Sequence, residues 1–321
     1  MKKNTAILDI ARRTIENEAN AIQNLSSLLD SQFSDAVTHI FNSTGRVVIS
    51  GIGKSALIAS KIVATLNSTG TPAIFMHAAD AIHGDLGTIQ ENDTVICISK
   101  SGNTPEIKML VPLIKKGGNT LIGMTGNLES ALAKQSDYVL NSFVEKEACP
   151  NNLAPTTSTT AQLVMGDAIA ICLLELRGFS SKDFAKYHPG GTLGKRLYLR
   201  VSDIVANNMK PQVDIYADVK TVIVEISEKM LGVTAVLEKN KVVGIITDGD
   251  IRRMLNKYDV INGLTAKDIM SMHPKTIDNN MLAVNALDLM QAKGITQVLA
   301  IENGTYKGVV HIHNLINEGI L

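Results

Sequence analysis

The sequence has no tryptophan, few other aromatics, three cysteines and no excess of either charge. Each scarcity excludes something. Six Phe and six Tyr in 321 residues leave little for a platform on which bases or sugars could stack. Acidic and basic residues balance at 31 each, so nothing marks a nucleic-acid or membrane-surface partner. Cys97, Cys149 and Cys172 form no CxxC pair and are too few for a disulfide framework. So sparse a set fits a reducing compartment, and two of the three lie in apolar runs as small core residues. Behind Met1-Lys2-Lys3-Asn4-Thr5 there is no apolar stretch of a secretion signal. The most apolar window, Ala168 to Leu174, is far too short to span a bilayer. The expectation is a soluble cytoplasmic protein of two or more domains.

What is present is a repeating strand–helix alternation. Residues 4 to about 43 come first and read as helical. Ile7, Ile10, Ala11, Ile15, Ala19, Ile22, Leu25 and Leu29 recur at spacings of three and four, which suits packing or dimerisation. The segment has little excess Lys or Arg and no helix-turn-helix break, so a DNA-reading role is rejected. Strands are expected at Val47–Ser50, Ala73–Met76, Thr94–Ile98, Leu121–Met124 and Tyr138–Leu140, with helices between them. That alternation implies a doubly wound parallel sheet, which binds ligands at the carboxyl ends of its strands. A long apolar helix follows from Ser158. After about Leu199 an internal duplication begins. Asp203-Ile204 recurs as Asp268-Ile269, Gly232–Leu237 as Gly294–Leu299 and Gly244–Ile246 as Gly308–Val310, at offsets of 62 to 65. Two copies suit a packed pair better than a solenoid.

The motifs cluster at one sheet edge. Ser99-Lys100-Ser101-Gly102-Asn103-Thr104-Pro105-Glu106 follows a β-branched strand and opens a helix. Thr104 is placed as N-cap, Pro105 as first helical residue and Glu106 in the first turn. Free N–H groups beside the Ser99, Ser101 and Thr104 hydroxyls suit a phosphate. An ordinary strand-to-helix turn with a stabilising Glu explains the same residues, and the two readings are level on this stretch alone. Ser50-Gly51-Ile52-Gly53-Lys54-Ser55 is a second such turn. Val48 stands where a nucleotide P-loop needs glycine, and His77 where a dinucleotide site wants an acid. What remains is Lys54 at the mouth of a turn, able to neutralise an oxyanion, with Ser50 and Ser55 beside it. His77, His83 and Asp85 follow the second strand without HExxH or Cys pairing, so His77 is read at most as a ligand for inhibitory zinc. Glu147 follows the fifth strand, Thr156–Thr160 offers a capped helix start, and His188-Pro189-Gly190-Gly191 holds a histidine in a loop. A phosphate cradle, a cation, two carboxylates and a histidine at one edge form a set that aldose–ketose isomerisation can use without a cofactor. A base moves a proton between C1 and C2 through an enediol, and a cation holds the oxyanion.

These motifs carry a resemblance. Residues 47–195 resemble sugar-isomerase (SIS) domains. The Ser99–Thr104 loop, Lys146-Glu147-Ala148-Cys149-Pro150, Leu153-Ala154-Pro155-Thr156 and the His188 loop resemble the arabinose 5-phosphate isomerase family in particular. Residues 200–321 resemble a tandem pair of CBS regulatory modules. The resemblance implies a five-stranded SIS sheet over 44–199 behind the helical segment 1–43, with CBS repeats over 200–259 and 260–321. It implies interconversion of D-ribulose 5-phosphate and D-arabinose 5-phosphate, supplying Kdo for lipopolysaccharide or capsule. An isomerase of another sugar phosphate, such as a heptose or hexulose, or a non-catalytic sugar-phosphate sensor, is the alternative. Lys54, Glu106, Glu147 and His188 fall on the family's catalytic positions, His83 on a substrate-contacting one and Gly70-Thr71 in a substrate loop. The resemblance also implies homotetramers whose sites lie between subunits, so that His83 and His188 would serve a neighbour. The loop departs from many relatives at Lys100 and at Asn103-Thr104-Pro105. In the first CBS repeat, Thr247 and Asp250 fit the phosphate and ribose contacts of a nucleotide or nucleotide-sugar regulator. His311 and Asn314 stand at the equivalent places in the second.

Overall fold

The computed structural model describes residues 2–320, which form two compact units dividing between Tyr187 and His188. In the first unit, β1 (Val47–Gly51), β2 (Ala73–His77), β3 (Thr94–Ile98), β4 (Thr120–Thr125) and β5 (Tyr138–Asn141) make one parallel sheet. Its order is β2-β1-β3-β4-β5, the doubly wound arrangement expected. β1 and β3 are buried at every position, as a strand covered on both faces must be. One face is covered by α2 (Ser31–Asn42), α3 (Lys54–Ser68) and α7 (Thr157–Leu176). The other is covered by α4 (Ala78–Ala81) and α5 (Pro105–Lys116), with Leu132 of α6 (Ala131–Gln135) joining that core.

The N-terminal segment is helical, as expected, and consists of two α-helices. α1 (Lys2–Leu25) ends before Asp30, whose carboxylate accepts from the Gln32 N–H and starts α2 afresh. An Asp cap competes with continuing the helix, and the apolar spacing does not show that break. α1 is fastened to α7 by Thr160 Oγ1, which donates to Glu18 at 3.1 Å. α7 also corrects the reading of Ala168–Leu174. The helix runs 20 residues, and among the described residues it alone is long and apolar enough to cross a membrane by length and composition. Its Ala161, Met165, Ile169, Ala170 and Leu173 are buried in the core beside α2 and α3.

The first unit ends with α8 (Ser181–Tyr187), and the first helix of the second is α9 (Thr192–Tyr198). Lys195 pairs with Glu318 at 2.7 Å, and Arg196 donates to the Ile320 carbonyl. Residues 188–199 therefore cluster with the C-terminal half, although the sequence reading joins them to the sheet. The duplication is visible in the backbone. β6 (Gln212–Asp214), α11 (Val219–Lys229), β7 (Val233–Glu238) and β8 (Lys241–Thr247) are repeated by β10 (Thr276–Asp278), α14 (Ala283–Lys293), β11 (Gln297–Glu302) and β12 (Thr305–His311). The short β9 (Ser271–Met272) adds an antiparallel edge to β8. The two long strands begin at 233 and 241 in the first repeat and at 297 and 305 in the second, a constant offset of 64. Bulges fall at Val236/Leu237 and Ala300/Ile301 at the same offset. Matching Gly232 to Gly294 by sequence is thus two residues out. A two-residue slip keeps the in–out alternation of a strand and so leaves no trace in the pattern.

The cores do not follow the division at 259/260. Val201 and Ile204 of α10 (Val201–Ala206) pack with Ile277, Ala286, Leu287 and Val310 of the second repeat. Ala266 and Ile269 of α13 (Ala266–Ile269) pack with Val213, Val222, Val236 and Ile246 of the first. Each repeat thus lends its leading helix to the other.

Candidate active site

Because the five strands are parallel, their carboxyl ends share one edge. Gly51 is in register with His77 and with Ile98, and Ile98 with Met124. The loops leaving that edge carry Lys54, His77, Ser99–Glu106 and, beyond β5, Glu147.

The Ser99–Thr104 loop is built by its own polar atoms. Ser99 N–H donates to the Met124 carbonyl at 3.0 Å. Gly102 N–H donates to Ser99 Oγ and to the Ser99 carbonyl, both at 3.1 Å. Ser101 Oγ accepts from Asn103 N–H, and Asn103 Oδ1 accepts from Ala131 N–H at 3.0 Å. Gly102 has φ +62°, and a Cβ there would lie 2.1 Å from Ser130 Oγ, so the turn requires glycine twice over. Thr104 stands at the N-cap of α5, as expected, but its hydroxyl makes no cap bond and is buried without a partner. The first-turn N–H groups of α5 therefore keep no side-chain acceptor, which leaves them for an anion. Glu106, in that turn, is half-buried and has no hydrogen bond or ion pair among the described residues.

Glu147 is the opposite case. Its side chain is 1% exposed and both oxygens are engaged. Oε1 accepts from Lys100 Nζ at 2.5 Å and Ser158 Oγ at 2.6 Å. Oε2 accepts from Thr156 N–H at 2.9 Å and Ser158 N–H at 3.1 Å, with Thr156 Oγ1 at 3.3 Å. Burial alone would raise its pKa, but Lys100, Ser158 and the two backbone donors outweigh burial and bring it to about 2. The α7 start, read from sequence as a second anion contact, already has its anion in Glu147. Asn152 Oδ1 completes the loop by accepting from Glu147 N–H at 2.7 Å. These partners lie 5 to 47 residues from Glu147, and no local pattern announces them.

Lys54 is exposed at the start of α3, and Ser55 donates to Gln162 of α7 at 3.1 Å. Ser50 in β1 is fully buried with an unpartnered hydroxyl. His83 is exposed in the turn after α4. His77 Nδ1 lies 3.6 Å from Asp80, and no three metal-binding side chains gather among the described residues. Gly70 and Thr71 are not brought to this edge. They precede β2, so parallel pairing puts them at the amino end of the sheet, where Gly70 faces the Phe179 ring and Thr71 is buried. A strand rises about 3.3 Å per residue, so the length of β2 separates them from the Ser99–Thr104 loop within one chain. His188 belongs to the second unit, where its carbonyl accepts from Gly191 N–H at 3.1 Å. There Thr247 and Asp250 form a reciprocal cap on α12 (Asp248–Lys257). Asp250 accepts from Thr247, Arg253 and Ser271, so both its oxygens are occupied. Burial opposes that charge and the three donors override it, leaving the pKa lowered. His311 and Asn314 make the matching cap in the second repeat.

Comparison with known proteins fits this division. The SIS domain family matches residues 39–172, and the CBS domain family matches 201–257 and 266–320. Arabinose 5-phosphate isomerase KdsD of Pseudomonas aeruginosa is 43% identical over 324 residues, covering 100% of this chain and 99% of that one. Arabinose 5-phosphate isomerase KpsF of Escherichia coli is 44% identical over 295 residues, covering 91% of this chain and 90% of that one. A structure of an Escherichia coli CFT073 protein in complex with arabinose 5-phosphate superposes with a TM-score of 0.57 at 41% identity. It covers 58% of this chain and 99% of its own.

Proposed function

This chain belongs to the arabinose 5-phosphate isomerase family, and we propose how its sheet-edge site performs that reaction. The enzyme interconverts D-ribulose 5-phosphate and D-arabinose 5-phosphate. The phosphate sits at the open N-terminus of α5, against the Ser99, Ser101 and Thr104 hydroxyls. Glu106, one residue into that helix, is the base that carries a proton between C1 and C2. Lys54 neutralises the enediolate oxygen. Glu147 is a fixed anion in the wall of the site, and His188 is the acid–base group of ring opening, supplied by a neighbouring subunit. The observation that carries this assignment is the contrast between the two carboxylates. A base needs a free lone pair and a pKa near the working pH. Glu147 has neither, while Glu106 is uncommitted.

Proton NMR of the purified protein with ribulose 5-phosphate in deuterated water tests the reaction. Arabinose 5-phosphate bearing deuterium at C2 is expected, and it should still form after exhaustive chelation. Enediol chemistry needs no metal, and His77 with Asp80 offers at most a partial ligand pair for inhibitory zinc. Loss of turnover in chelator, restored by one divalent ion, would overturn this. Turnover of a heptose phosphate instead would favour the other sugar-phosphate reading.

The wider role follows the family: supply of arabinose 5-phosphate for Kdo, in the cytoplasm, by a homotetramer. The regulatory ligand is a nucleotide or nucleotide-sugar at the first CBS repeat. Such a ligand must draw Asp250 away from Arg253 or use Arg253 itself, so weak binding is expected. Calorimetry of the full chain with adenine nucleotides and nucleotide-sugars checks this, and a Thr247→Val variant should abolish the signal. Equal binding by that variant would place the ligand elsewhere.

A further inference from the structure

Lys100 stands out in the sequence only as a departure from relatives. In the structure it is the one ion-pair partner of Glu147 among the described residues. The pair joins the phosphate loop after β3 to the segment between β5 and α7, across 47 residues of chain. Its two ends differ in environment. The Lys100 side chain is 43% exposed and the Glu147 side chain 1%. A carboxylate so placed cannot draw on water for its charge, and a buried anion without a cation protonates or moves. Other charged groups lie close by. Arg13 of α1 and Lys146 line a cavity of about 350 Å³ with Glu147 and Cys149, yet neither makes an ion pair with Glu147. The hydroxyl and N–H donors of Thr156 and Ser158 carry no charge.

We propose that Lys100 is a positioning residue: its ammonium keeps the Glu147 carboxylate ionised and fixed at the start of α7, and Lys100 affects turnover only through Glu147. The inference rests on the isomerase reading above and adds to it a residue outside the four-member set of Lys54, Glu106, Glu147 and His188. It also links the site's two halves. The loop that holds the substrate phosphate carries the cation on which the buried carboxylate depends.

The test is the pH dependence of kcat/KM in Lys100→Met, Lys100→Gln and Lys100→Arg, each also built on Glu147→Gln. Without the cation, burial is left to raise the Glu147 pKa from about 2 into the range of the acid limb, which should move up by a pH unit or more (about tenfold in proton affinity) in the Met and Gln variants. Arginine should restore the limb. In the Glu147→Gln background, Lys100→Met should leave the profile unchanged. An acid limb that stays in place in both neutral variants overturns the proposal. So does an equal shift with and without Glu147, which would make Lys100 a direct substrate contact. Lys100→Gln keeps a donor at the loop and guards against a Met variant that does not fold. The parent enzyme is the control on the function itself. If it does not turn over ribulose 5-phosphate, the isomerase reading fails before any variant is compared.

Discussion

Replacing Glu106 by glutamine is expected to lower kcat by about 10²- to 10⁴-fold, the usual range for loss of a general base. The substitution keeps the size of the side chain and its place in the first turn of α5. No hydrogen bond or ion pair is broken, because Glu106 has none among the described residues. The stability cost should be confined to the lost helix-dipole interaction, under about 1 kcal/mol. KM should change far less than kcat, since a base acts on the transition state rather than on ground-state binding. Steady-state kinetics with a thermal melt of the same sample separates these effects. Turnover within about tenfold of the parent, short of the general-base range, would remove Glu106 as base. The role would then pass to Glu147, released from Lys100 by substrate, or to His188.

Glu147 should show its largest effect in folding, above pH 4.5. Its carboxylate accepts five hydrogen bonds from Lys100, Thr156 and Ser158. A glutamine there has one acceptor oxygen and turns an NH₂ group toward donors, leaving buried groups unsatisfied at about 1–3 kcal/mol each in the worst case. The linkage has a definite sign. The folded pKa, about 2, lies below the ordinary value of 4.5. The stabilisation is therefore complete above pH 4.5 and disappears as pH falls toward 2. A depression of that size corresponds to about 3 kcal/mol. Urea unfolding of wild type and Glu147→Gln should differ by roughly that amount at about pH 7 and converge near pH 2. A gap that persists unchanged into acid would mean that the carboxylate is not ionised and paired in the folded state.

Much of the first unit was legible because it is written in local signals. Five short apolar runs gave the strands, and the alternation gave the doubly wound sheet. Thr104-Pro105-Glu106 gave the start of α5. The edge carrying Lys54, Ser99 and Glu106 followed from topology alone. What escaped depends on contacts between residues distant in sequence. Lys100 and Glu147 are paired across 47 residues, and no periodicity connects them. Gly70-Thr71 carries a family resemblance, whereas its place at the amino end of β2 is a matter of sheet direction. Thr247 and Asp250 show how one short pattern serves two ends. A Thr followed three residues later by Asp is a nucleotide signature in one setting and a helix cap in any. The same spacing caps α13 through Thr265 and Asp268.

The exchange of α10 and α13 between the CBS repeats has a consequence for how this half of the protein exists at all. Duplication ordinarily yields two copies, each able to stand as a domain. Here each copy has surrendered the helix that closes its own core. Val201 and Ile204 are useful only once the far repeat has formed, and Ala266 and Ile269 only once the near one has. Removing either repeat opens the core of the other. The pair has become one indivisible object with an internal symmetry. A disturbance at either repeat is therefore felt as a change in the whole, unlike in a simple string of domains.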